Sequence, residues 1–195
     1  MVEGTWKPKA VIKSRAYVCG HCSNKVASNH GIETRTSSNT AAGGYIYLCT
    51  HCNQPTYFYG EMQVPGELPG SAVANVAEMI EDLYNEARRC VAANAYTGCV
   101  MICRKILMHV AHDNGAKENL KFVQYVNYLH DEHFIPPNAR SWVEYIKDKG
   151  NEANHEIFTA SKEDAVGLLV LVERMLQIIY DLPKRVPSKA APDKA

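Results

Sequence analysis

Tyr45-Ile46-Tyr47-Leu48-Cys49-Thr50-His51-Cys52-Asn53-Gln54-Pro55-Thr56-Tyr57-Phe58-Tyr59 decides how the N-terminal part of the chain folds. Tyr45–Leu48 and Thr56–Tyr59 are aromatic and β-branched runs, the composition of strands that bury one face. The turn between them is a CxxC. The same order occurs earlier, where Arg15-Ala16-Tyr17-Val18 reads as a short strand and runs into Cys19-Gly20-His21-Cys22. Residues 23–44, between the two copies, are rich in Ser, Asn, Thr and Gly and read as an exposed loop.

Two CxxC turns, each following a strand, describe a zinc ribbon. Zn²⁺ takes four soft ligands in a tetrahedron, and each turn presents two thiolates. A module of this size has too small a core to stand easily alone, so the metal contributes folding free energy. The expected cofactor is one structural Zn²⁺ on Cys19, Cys22, Cys49 and Cys52, with His21 and His51 as bystanders. The chain has 7 cysteines. The other three, Cys90, Cys99 and Cys103, fall in helical patterns and read as core residues. Paired knuckles with an odd total fit a reducing compartment better than a disulfide framework, so a cytoplasmic location is expected.

Gly60-Glu61-Met62-Gln63-Val64-Pro65-Gly66-Glu67-Leu68-Pro69-Gly70 closes the strand-rich module, and its two Pro-Gly steps mark a linker. From Ser71 the apolar period becomes helical. Val73, Val76, Ile80, Leu83, Tyr84, Ala87 and Val91 predict a first helix from an N-cap at Ser71 to about Ala93. Cys99, Ile102, Cys103, Ile106, Leu107 and Val110 predict a second, stopped at Asn114-Gly115. Phe122, Val123, Val126 and Leu129 mark a third. Ala139, Trp142, Val143 and Ile146 mark a fourth after Pro136-Pro137. Ser161 and Asp164 cap a fifth, whose stripe of Leu168, Leu169, Val172, Met175 and Leu176 ends before Pro183.

Short connections between amphipathic helices predict an antiparallel bundle. The expected fold class is therefore mainly α, an antiparallel four- to five-helix bundle behind a small β zinc ribbon. The expected domains are a zinc-ribbon module over 1–60, a linker over 61–70, the bundle over 71–182 and a disordered tail over 183–195.

Lys+Arg and Asp+Glu are both 21, so the formal net charge is zero. Neutrality argues against a protein that coats duplex nucleic acid through its phosphates. No run is long and apolar enough for a membrane span, and the first residues lack a signal-peptide pattern. There is no phosphate loop, no dinucleotide fingerprint and no HExxH.

The order of several further segments resembles a bacterial family known as domain of unknown function 4145, which is placed in the HEPN superfamily. The matching features are Pro69, Tyr84-Asn85-Glu86-Ala87, Ala95-Tyr96-Thr97-Gly98, Cys103-Arg104-Lys105-Ile106-Leu107 and Gly150-Asn151-Glu152-Ala153-Asn154-His155, followed by the closing Leu-rich helix. The resemblance spans roughly 68–182, and the paired knuckles look like those that often precede such domains. It implies a four- or five-helix HEPN bundle that forms a homodimer. Many HEPN proteins are metal-independent ribonucleases of toxin–antitoxin, phage-defence or RNA-processing systems, and others are binding modules. Their signature is an Arg, a polar residue that is often Asn, a variable stretch, then His. Here Asn151 and His155 match, Gly150 stands at the Arg position, and Lys147 lies just before it.

Metal-independent RNA cleavage needs a base, an acid and a cation beside the phosphorane. His155 suits proton transfer, Asn151 orientation and Lys147 the cationic role. On a continuous helix they fall at i, i+4 and i+8, drifting about 40° per step, and share one face. Lysine lacks the guanidinium fork of the missing arginine. The expected function is therefore a zinc-containing module that binds an RNA or protein partner. A dimeric ribonuclease using His155 is the alternative, and whether the chain is an enzyme stays open.

Overall fold

The structure, a computed structural model, describes residues 10–35, 41–135, 141, 144, 145 and 159–185. It divides into two compact units. One runs from Met1 to Pro69 with Val91–Asn94, and the other takes Gly70–Cys90 and Ala95–Ala195.

The first unit is a five-stranded antiparallel meander, β1 (Ala10–Val18), β2 (Lys25–Arg35), β3 (Ala41–Leu48), β4 (Pro55–Tyr59) and β5 (Met62–Val64), paired in chain order. Strand alternation sends Tyr17 and Cys19 to one face of β1, and Tyr47 and Cys49 to the same face of β3. That face is the core, where Ile12, Tyr17, Val26, Tyr47 and Phe58 pack with Cys19 and Cys49. Tyr17 and Tyr47 each meet Phe58 edge to face, with centroids 5.1 and 5.7 Å apart, an arrangement aromatic quadrupoles favour. The sheet curls so that β1 reaches strands it does not pair with. Arg15 lies over the Phe58 ring and donates to Gly60 O, Tyr47 Oη donates to Lys13 O, and Gln63 Nε2 donates to Val18 O.

The second unit is helical. Its described α-helices are α1 (Glu78–Ala92), α2 (Tyr96–Asp113), α3 (Phe122–Asp131) and α4 (Lys162–Leu176). α4 passes through a π-helical turn, Gln177–Asp181, into a last turn, Leu182–Arg185. α2 packs against both α3 and α4 and buries more than one stripe, including Cys99, Val100, Cys103, Ile106, Leu107 and Val110. The apolar stripe of α4 faces it through Leu168, Leu169, Val172, Met175 and Leu176. Ser161 and Asp164 form the expected reciprocal capping box.

The mainly-α expectation is overturned. The chain is mixed α/β, because the sheet holds far more strand than the three short runs expected. β2 occupies residues read as loop, β1 starts five residues before Arg15, and β5 lies inside the supposed linker. Ser28, His30 and Gly31 have weak strand preference, yet their backbones pair with β1, and Gly31 also with β3, and that context decides. α1 also starts at Glu78 rather than beside Ser71. The Ser71 amide is instead taken by Glu173 Oε1 at 3.2 Å. Around that contact Tyr84 Oη donates to Ser71 O and Arg88 donates to Gly70 O. Gly70 has φ +69, and a Cβ there would stand 2.7 Å from Glu173 Oε2 and 2.8 Å from Tyr84 Oη. Only glycine fits both the left-handed backbone and the space.

Pro183 does not stop the last helix. The amide of Leu182 bonds back to Gln177 O, and the chain runs on helically through Leu182–Arg185. Most of the expected fourth helix, with Ala139, Trp142, Val143 and Ile146, lies outside the described residues, as does 186–195. Among the described residues no helix is long and apolar enough to cross a membrane.

Candidate metal centre

The two CxxC turns are near copies of each other. In the first, Ser23 N donates to Cys19 O and Cys19 N to Asn24 O. In the second, Asn53 N donates to Cys49 O and Cys49 N to Gln54 O. Ser23 and Asn53 both adopt φ 58, the left-handed step that turns each knuckle back into its next strand. His21 N and His51 N each point at the sulfur two residues earlier, at 3.4 Å. Gly20 lets the chain leaving β5 lie against the first knuckle, since a Cβ there would fall onto the carbonyls of Pro65 and Gly66.

These turns bring the Sγ atoms of Cys19, Cys22, Cys49 and Cys52 within 4.8 Å of one another. Cys19–Cys52 is 3.7 Å and Cys22–Cys49 is 3.8 Å. All four are free thiols. A zinc tetrathiolate with Zn–S of about 2.3 Å has S···S edges of about 3.8 Å, so the spacing and the donor set both fit a tetrahedral soft-metal site. Cys19 and Cys49 are buried, Cys22 and Cys52 partly so.

The electrostatics agree. Burial first, and then the neighbouring thiols of Cys22, Cys49 and Cys19, hold the Cys52 thiol up at about 12 against the opposing pull of the Gln54 amide. Cys19 is raised, first by burial, although the amides of His21 and Cys22 pull the other way. Burial also opposes ionisation of Cys22, but donors from Asn24 and the thiols of Cys52 and Cys19 bring it down to about 6. The Cys22 thiolate thus forms readily, Cys19 and Cys52 resist, and a bound cation would remove that resistance.

His21 and His51 strap the knuckles together. His21 Nε2 donates to Pro55 O at 3.0 Å, beyond the second knuckle, while Asn24 beside the first donates to His51 Nδ1 at 3.3 Å. Among the described residues the four cysteines are the one group of three or more His, Cys, Asp or Glu side chains close enough to hold a metal. His109 and His112 instead pair with Asp113, and His112 also with Glu118.

Lys147, Asn151 and His155 lie outside the described residues. Arg104, within the matching segment Cys103–Leu107, is buried with its guanidinium over the Phe122 ring. The reading from sequence missed the knot of Glu173, Tyr84 and Arg88 around Gly70. Tyr84 fell in the apolar stripe, and nothing local announces that a glutamate on α4 meets it.

The family described as Domain of unknown function (DUF4145) matches residues 85–193. No curated protein and no solved structure matches the chain.

Proposed function

The chain belongs to the DUF4145 family, and from that premise we propose that it is a zinc-ribbon adaptor whose helical unit is of HEPN type. The observation that carries the proposal is the four-thiol cluster with edges of 3.7 and 3.8 Å. On this reading Zn²⁺ has a structural role. All four positions are protein sulfurs, which leaves no open position for a substrate. Cys19 and Cys22 would hold it from the first knuckle, Cys49 and Cys52 from the second.

A partner-binding role draws on the outward face of the sheet. Register places Ile32 beside Ile46, Ile46 beside Tyr57, and Tyr57 beside Val64, which makes one row across four strands. Ile32, Ile46 and Val64 are 49%, 37% and 43% exposed, so the row is apolar and open to water. With a net charge of zero, such a row suits a protein partner better than a phosphate backbone. The setting in phage defence or a toxin–antitoxin pair, and assembly as a homodimer, belong to the same proposal.

The test has two measurements on purified protein. Elemental analysis should find about one zinc per chain in wild type and a loss of most of it in Cys49→Ser. Incubation with RNA in chelator should leave the RNA intact. Metal-independent cleavage that vanishes in His155→Ala would overturn the adaptor reading in favour of a ribonuclease.

A further inference from the structure

The helical unit carries a cavity of about 370 Å³ that the cysteine cluster does not use. One wall is the loop that follows α2, through Lys117 and Leu120. The other is α3, through Gln124, Asn127, Tyr128 and Asp131. Those four positions are i, i+3, i+4 and i+7 of one helix, so they form a single row of polar-tipped side chains. Two members of the row are pinned. Gln124 Oε1 accepts from Lys121 N at 2.8 Å, and Tyr128 Oη donates to Asn114 O. Gly115, at φ +105, brings the loop up to the tyrosine, since a Cβ there would stand 3.0 Å from Tyr128 Oη.

The other polar groups are uncommitted. Among the described residues neither Lys117 nor Asn127 has a side-chain partner, and Asp131 meets only its neighbour His130, at 3.3 Å. Lys117 and Asp131 bring opposite charges to one cavity, yet they form no ion pair with each other. Asn127 is half-buried and offers two donors and an acceptor. Donors therefore come from Lys117, Gln124 and Asn127. The Asp131 carboxylate stands four residues beyond Asn127, about 6 Å further along the helix axis. Leu120 and the Tyr128 ring supply apolar surface. Ligand pockets run from roughly 300 to 1,000 Å³, and a cavity near the lower end suits a small molecule.

We propose that this cavity binds a zwitterionic ligand of dipeptide size. Its carboxylate takes Lys117 and the Asn127 amide, its ammonium takes Asp131, and an apolar side chain lies against Leu120 and Tyr128. One residue of extended chain spans about 3.3–3.6 Å, so two residues bridge the step from Asn127 to Asp131 and a single amino acid falls short. Both ends are held by charge-assisted hydrogen bonds, the strong kind. Neither the sheet nor the cysteine cluster takes part.

The test is a ¹H–¹⁵N NMR titration of the whole chain with leucyl-leucine, N-acetyl-leucyl-leucine and leucyl-leucinamide. Leucyl-leucine should bind saturably and move the amides of 115–120 and 124–131. Capping either end should weaken binding about tenfold or more, because each cap leaves one charge of the site without its partner. Asp131→Asn and Lys117→Gln, both at exposed positions, then assign the two ends. Asp131→Asn should lose about tenfold in affinity for leucyl-leucine and nothing for the N-acetyl form. Lys117→Gln should lose about tenfold for leucyl-leucine and nothing for the amide form. Absence of saturable shifts, or shifts centred outside those two segments, overturns the proposal. So does an N-acetyl form that binds as tightly as the free dipeptide, since the site then reads only a carboxyl terminus. Losses in the two variants that do not depend on which end is capped overturn it as well.

Discussion

The sheet unit and the helical unit solve the same problem with different means. The sheet unit has a few aromatic and aliphatic side chains around Tyr17, Tyr47 and Phe58, and its core runs directly into the thiol cluster. The helical unit has a continuous aliphatic interior along α2 and α4, and no described metal-ligand group lies inside it. Burial of apolar area rises steeply with size, so the small unit is the one that needs a covalent or metal staple. The comparison sets a small core that runs into four sulfurs against leucine, isoleucine and methionine packing.

Removing a ligand strikes the first unit hardest. Structural zinc contributes on the order of 10 kcal/mol in small modules, far above ordinary domain stability. Cys49→Ser should therefore abolish amide-exchange protection over residues 10–64 and leave α1–α4 protected, as read by hydrogen-exchange mass spectrometry. Retained protection in β1–β4 without metal would break the comparison. The reciprocal change is smaller. Leu169 is 1% exposed, and Leu169→Ala should lower the unfolding free energy of the helical unit by about 2–5 kcal/mol in urea. Its zinc content should stay at the wild-type value, and zinc loss would show that the units are not separately stabilised.

The contrast also explains what could be read from the residues alone. The knuckles were legible because a CxxC after an aromatic run is chemically specific, and the cluster forms from the four cysteines it names. The closing helix was legible because Leu168, Leu169, Val172, Met175 and Leu176 keep one period, with Ser161 and Asp164 at its start. β2 was hidden because its inward positions are Val26, Ser28 and Gly31, which carry almost no apolar alternation. Ser71 was misread because its amide partner, Glu173, lies 102 residues away. The mixed α/β class follows from pairings of this kind, which no local window contains. The cysteine cluster depends on two short motifs and the strands that aim them, so the error in fold class does not touch it.

The smallest expected effect concerns how the helical unit holds its last turns. Asp181 is buried in the π-helical turn. Its Oδ1 accepts from Arg185 Nε at 3.0 Å and from Asn75 Nδ2 at 2.8 Å, and its Oδ2 pairs with Arg185 at 2.7 Å. The Arg185 guanidinium first, and then the Asn75 amide, hold this carboxyl below its ordinary value. The folded chain therefore binds the Asp181 proton more weakly than the unfolded chain does. The stability this linkage supplies is complete above the ordinary carboxylate value of about 3.9, and is lost as pH falls through the lower folded value. Asn75→Ala removes a neutral donor and leaves the arginine, so the folded value should rise part of the way back. A carboxyl-carbon NMR titration of Asp181 should show a midpoint below 3.9 in wild type and a higher one in Asn75→Ala. Helical ellipticity in acid should fade at a correspondingly higher pH in the variant. An Asp181 that titrates at the ordinary value in both proteins would show that the contact does not hold the turn, and would leave the helical unit dependent on its apolar interior alone.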